Sequence, residues 1–192
     1  MRRLDLIKEA LRGALSTGRY MALGSMDGLL ASLGAVLSAS LRGGTLHDVV
    51  SSGLSVAVAL ALSNGLGSYL GEKIEELREI RRLERRMILN RGELESTRVH
   101  DLARVRIYTS VISHGGSSFA ASMIPILTVI AIGDPRAGAV PCVIVSGVAL
   151  FLLGAYLGRL CGDRGGRLLL RGLEMAGVGG IVGVVTHLIG AH

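Results

Sequence analysis

Hydrophobic and polar positions fall into long blocks rather than a short-period alternation. Mostly apolar runs occupy Tyr20–Leu41, Val49–Leu70, Ile107–Ile132, Gly138–Gly158 and Leu173–Ile189. A hydrocarbon core about 30 Å thick needs about 20 helical residues to cross it, so each run predicts one membrane-spanning helix. The expected fold class is an all-α integral membrane protein. It has five transmembrane helices and a short cytoplasmic helical insert between helices two and three. The charged stretch 72–106 supplies that insert. It predicts a helix over Glu72–Leu89, a turn at Asn90–Gly92, and a second helix over Glu93–Arg106. Ahead of the first span, Leu4, Ile7, Leu11 and Leu15 recur at helical spacing, with Arg3, Lys8, Glu9 and Arg12 around them. Residues 1–19 therefore read as an amphipathic interfacial helix. The remaining divisions are 20–71 for helices one and two, 72–106 for the insert, and 107–192 for helices three to five. Pro125 lies inside the third span and predicts a kink there.

Charge fixes the expected orientation. Of the 21 Lys and Arg residues, all but Arg42 and Arg136 lie before span one, between spans two and three, or between spans four and five. The positive-inside rule puts those segments in the cytoplasm, which places the N-terminus inside and the C-terminus outside. The net charge of +6 is thereby explained by topology and by contact with anionic membrane lipid, with no call for nucleic acid. The first 19 residues carry charges throughout, so span one is expected to act as its own insertion signal. Cys142 and Cys161 would stand about 28 Å apart along a helix, too far to bridge. The chain is rich in glycine, with 28 residues, which suits close helix packing in membranes. Gly-xxx-Gly spacing occurs at Gly24/Gly28, Gly67/Gly71, Gly154/Gly158 and Gly179/Gly183.

Asp27 is the most informative candidate, because a carboxylate within a span costs about 2.5–3.5 kcal/mol on insertion scales. Met26 adjoins it as a soft ligand. Ser63 and Asn64 end span two, and the Asn64 amide oxygen suits a hard cation. The proposed path comprises Asp27, Met26, Ser63 and Asn64, with Asp27 and Asn64 as metal ligands. Glu72, Glu75, Glu76 and Glu79 follow at helical spacing and predict a cytoplasmic face that gathers metal ions. The alternative is a solvated face with local ion pairs to Arg78 and Arg82. His114 and His187 lie in spans three and five, where a lone His more often hydrogen-bonds a neighbour than binds metal. There is no His-Glu-x-x-His, phosphate-binding loop or Ser/His/Asp grouping, so an enzyme is not expected.

Three segments together resemble the vacuolar iron transporter family. They are Met26-Asp-Gly-Leu-Leu-Ala-Ser-Leu-Gly in span one, Ser63-Asn-Gly-Leu-Gly-Ser-Tyr-Leu-Gly-Glu-Lys at the end of span two, and Ile124-Pro-Ile-Leu in span three. Gly172-Leu-Glu-Met-Ala-Gly-Val-Gly-Gly-Ile-Val-Gly is similar to that family's fifth helix. The resemblance implies a homodimer that exchanges Fe2+ or a similar divalent ion for protons, with Asp27 in the ion path. Asn64 stands where family members usually carry Met, and Ser68 where many carry an acid. The insert is short, with Met87 its sole Met. The expected function is a proton-coupled Fe2+/Mn2+ transporter that exports the ion from the cytoplasm and holds no permanent cofactor. The alternative is a non-transporting membrane scaffold or regulator with the same fold.

Overall fold

The computed structural model describes residues 3–94 and 97–190. It contains five helices in chain order, α1 (Arg3–Leu41), α2 (Leu46–Arg86), α3 (Arg98–Ile132), α4 (Pro135–Leu160) and α5 (Gly166–Gly190). Among the described residues there is no strand. Each helix contains a stretch long and apolar enough to cross a membrane. The chain is a multi-pass membrane protein, and large apolar side chains left exposed on its surface, such as Ile112, Leu152 and Ile181, suit contact with lipid. α1 is continuous from Arg3, so the amphipathic segment and span one form one helix. The side chains of residues 3–17, and Met1 and Arg2 altogether, lie outside the described residues.

Local chemistry sets the helix ends. Thr45 and Asp48 form a reciprocal capping box at the start of α2. Asp134 caps α4, with Pro135 at its first position. α1 ends in a Schellman motif, in which Gly44 N donates to Ala39 O at 3.0 Å and Gly43 takes a positive φ of 78°. α2 ends in the same way, with Leu89 N donating to Glu84 O at 2.9 Å. The left-handed residue here is Ile88, at φ 55°, a conformation that costs a branched side chain about 1–2 kcal/mol.

This ending corrects the expected insert. The helix stops at Arg86 rather than Leu89, turns occupy the stretch up to Leu94, and α3 starts at Arg98 rather than Glu93. The physical reason is Glu84. Its carboxylate is buried and accepts from Gly92 N at 2.8 Å and Leu94 N at 3.4 Å, which holds the chain in a tight reversal. Ile80, Leu94 and Ala103 pack beneath that reversal with Leu83 and Leu89 around them.

α2 has 41 residues and α3 has 35. At 1.5 Å per residue they measure about 60 and 50 Å, well beyond a hydrocarbon core of about 30 Å. The surplus is where the charged residues concentrate, and there the two helix ends pack together. Within the bundle α1 is central and packs against all four other helices, α3 joins it to α2, and α4 pairs with α5. One apolar core gathers Leu33, Val36 and Leu37 of α1 with Val49, Ala57, Ile126, Val129 and Cys142. A second gathers Leu29, Ala121 and Leu150. Both cysteines are free, Cys142 buried and Cys161 exposed.

Candidate ion site

α1, α2 and α3 approach one another backbone to backbone, and small residues allow it. A Cβ on Gly24 would overlap the His114 carbonyl, and one on Gly28 the Ser118 carbonyl. A Cβ on Gly115 would stand 2.6 Å from Ala61 O. Gly24/Gly28 is therefore a contact inside the protomer. Gly154 and Gly158 similarly admit α5, whereas Gly67 and Gly71 face open space. The close approach leaves no room for large apolar side chains at this level, and polar ones fill the seam.

Asp27 of α1 is half-buried. Asn64 Nδ2 of α2 donates to its Oδ2 at 3.4 Å and, more strongly, to Ser118 Oγ of α3 at 2.7 Å. Ser118 in turn donates to His114 O at 2.9 Å. Ser122 Oγ lies 3.1 Å from Gly28 O, and Ser32 Oγ donates to Ser122 O at 2.9 Å. Toward the other end of the seam, Ser68 Oγ bonds His114 Nδ1 at 2.7 Å. His114 Nε2 is buried without a partner among the described residues. The Tyr20 ring lies 5.5 Å from the His114 ring, and its hydroxyl donates to Glu72 Oε1 at 2.5 Å. Polar groups thus run from Glu72 through Tyr20, His114, Ser68 and Asn64 to Asp27. Among the described residues no cationic side chain forms an ion pair with Asp27.

The structure brings together Asp27 and Asn64 of the expected path. It places Met26 elsewhere, against Leu29, Ala121 and Leu150, and leaves Ser63 exposed. The four glutamates divide. Glu72 joins the seam through Tyr20, Glu76 is buried and pairs with Arg106 of α3 at 3.4 Å, and Glu75 and Glu79 are exposed. The ion pair therefore reaches across to α3 rather than along α2 to Arg78 or Arg82. Burial pushes the Glu76 carboxyl above the usual carboxylate range, against the pull of Arg106. Among the described residues no three His, Cys, Asp or Glu side chains assemble as a metal-ligand set. His187 is exposed, and Glu174 pairs with Arg171 at 3.2 Å.

Sequence reasoning missed Tyr20, Ser118 and Ser122 and singled out Ser68 only as a departure. A signal was there. Ser110, His114, Ser118 and Ser122 recur every four residues through the third span, which places them on one helix face. Three of the four, Ser110, Ser118 and Ser122, are fully or nearly fully buried.

No protein-family model matches the chain. An uncharacterized protein of Methanocaldococcus jannaschii is 24% identical over 188 residues, a match that covers 98% of this chain and 95% of that relative.

Proposed function

We propose that the protein carries a divalent metal cation, Fe2+ or Mn2+, out of the cytoplasm in exchange for protons, along the seam of α1, α2 and α3. The observation that carries this reading is Asp27, an intramembrane carboxylate with no cationic partner among the described residues, beside an amide and a serine hydroxyl. A carboxylate is a hard ligand suited to these ions, and buried acids in membranes serve ion pathways more readily than packing. Asp27 binds the metal when ionised and releases it when protonated, the minimum that antiport requires. Asn64 is the next ligand, and Glu72 and Glu76 lead toward the charged end. The resemblance of the Asp27, Asn64 and Pro125 segments to the vacuolar iron transporter family supports the same reading. One protomer offers few ligands, so the working unit is proposed to be a homodimer. Its partner would lie on the α2 face where Gly67 and Gly71 are open and Leu62, Leu66 and Leu70 are exposed.

The competing reading, a membrane scaffold without transport, draws on the lack of a three-ligand cluster among the described residues. Metal flux into proteoliposomes with a pH-sensitive dye inside separates the two. Wild-type protein should move Fe2+ or Mn2+ with a counterflow of protons. Asp27→Asn keeps the shape and removes the charge, and should lower that flux at least tenfold while the protein stays folded. An inert wild type gives the lead to the scaffold reading, and undiminished flux from a folded Asp27→Asn protein removes Asp27 from the path.

A further inference from the structure

A cavity of about 440 Å3 opens between α2 and α3 where both helices leave the hydrocarbon. Its walls repeat one arrangement on two antiparallel helices. On α2, Tyr69 ends span two and Lys73 follows one turn later. On α3, Arg104 precedes Tyr108 by one turn, at the start of span three. Each pair sets an aromatic ring on the membrane side and a cation on the water side. Tyrosine favours that boundary because its ring is apolar and its hydroxyl is wet.

The charges in the cavity do not cancel. Lys73 Nζ lies 3.3 Å from the Tyr69 hydroxyl and 5.2 Å from its ring centroid, which holds the ammonium at the mouth. Among the described residues neither Lys73 nor Arg104 is in an ion pair. The acid in the wall, Glu76, is engaged by Arg106. His100 also lines the cavity, and its Nδ1 is buried with no partner among the described residues. The vacant demand is for an anion with several acceptor oxygens, reached from the membrane side past two tyrosines. Leu77 and Ile107 supply the apolar wall that a glycerol backbone and the first acyl carbons need.

We propose that this cavity binds the phosphate headgroup of an anionic membrane lipid. Lys73 and Arg104 hold the phosphate oxygens by charge-assisted hydrogen bonds, and Tyr69 and Tyr108 flank the glycerol. The site shares only Glu76 with the proposed ion path, and it stands whether or not the protein transports metal.

Native mass spectrometry of the full chain, released from bilayers of dioleoyl phosphatidylglycerol or dioleoyl phosphatidylcholine, tests this. The wild type should retain one phosphatidylglycerol and release phosphatidylcholine. Lys73→Gln/Arg104→Gln should weaken retention about twenty-five-fold, from two surface charge contacts of about fivefold each. Arg78→Gln/Arg82→Gln removes the same charge from exposed positions outside the cavity and should retain the lipid. Arg104→Gln alone breaks no ion pair among the described residues and should weaken retention about fivefold, which keeps the test open if the double variant misfolds. Equal loss in both double variants would reduce the effect to general charge attraction and overturn the site. Retention in Lys73→Gln/Arg104→Gln would overturn it too. A third arm adds inorganic phosphate to lipid-free protein in detergent. Thermal stabilisation equal to that from phosphatidylglycerol would assign the cavity to a soluble phosphate and refute the lipid.

Discussion

Carboxylates of the same chemistry do different work here because of what surrounds each one. Glu84 is buried but satisfied by two backbone N–H groups, so it shapes a turn. Glu76 is buried and paired with Arg106, so it ties α2 to α3. Among the described residues Asp27 accepts only a long bond from Asn64, whose better hydrogen bond goes to Ser118. That leaves most of its acceptor capacity for a ligand. Ile88 shows the residue scale in another way. It is 94% exposed and holds φ 55° to close the Schellman turn that Gly43 closes on α1. Its side chain contributes little packing to set against the strain. Ile88→Gly should therefore raise stability by about 1 kcal/mol. A chemical-denaturant melt in detergent measures this, and a lowered midpoint would show that the exposed isoleucine makes a contact worth more than its strain.

At the scale of elements, the seam exists because three helices touch through glycine. Gly28 is the tightest point, since a Cβ there would overlap the Ser118 carbonyl, which belongs to α3 backbone and cannot rotate aside. Gly28→Ala should cost about 1–3 kcal/mol through overpacking, and should lengthen the Asp27–Asn64–Ser118 contacts as α1 moves off α3. Gly116→Ala is the matched control, because its Cβ would meet open space and it lies off the α2 face. Thermal melts of the two proteins should differ, with Gly28→Ala the less stable. Equal melting would place the α1–α3 contact further apart than described. Gly67→Ala should lower the dimer fraction if the open α2 face is where the second copy packs.

For the whole molecule, the segregation of basic residues is expected to set the orientation. The five apolar helices alternate between segments almost free of Lys and Arg and segments rich in them. In a background with Cys161→Ser, cysteines placed at Gly43 and Ala137 should react with an impermeant reagent from outside. One at Asn90 should react only after permeabilisation. The reverse pattern would put the paired ends of α2 and α3, with Glu72 and Glu76, on the outer face, and export through Asp27 would become uptake.

The sequence by itself determined the number of membrane-spanning helices, their approximate positions and the polar exception at Asp27. Each of these follows from one-dimensional quantities, namely block length against bilayer thickness, and the cost of a charge within an apolar run. It did not determine where α2 would end. The breaker it displays is Gly92, whereas the structure closes the turn at Ile88, held by Glu84 from the preceding helical turn. Only the tertiary structure decided which polar residues stand together. Met26 and Asp27 are adjacent in sequence but about 100° apart around a helix, so one packs in the core and the other faces the seam. Asp27 and Ser118 are far apart in sequence, yet Asn64 bonds to both because glycines at 24, 28 and 115 let three backbones close to contact. Burial pattern is local to a chain, but a hydrogen-bonded site is a property of which helix faces meet, and that was settled by packing.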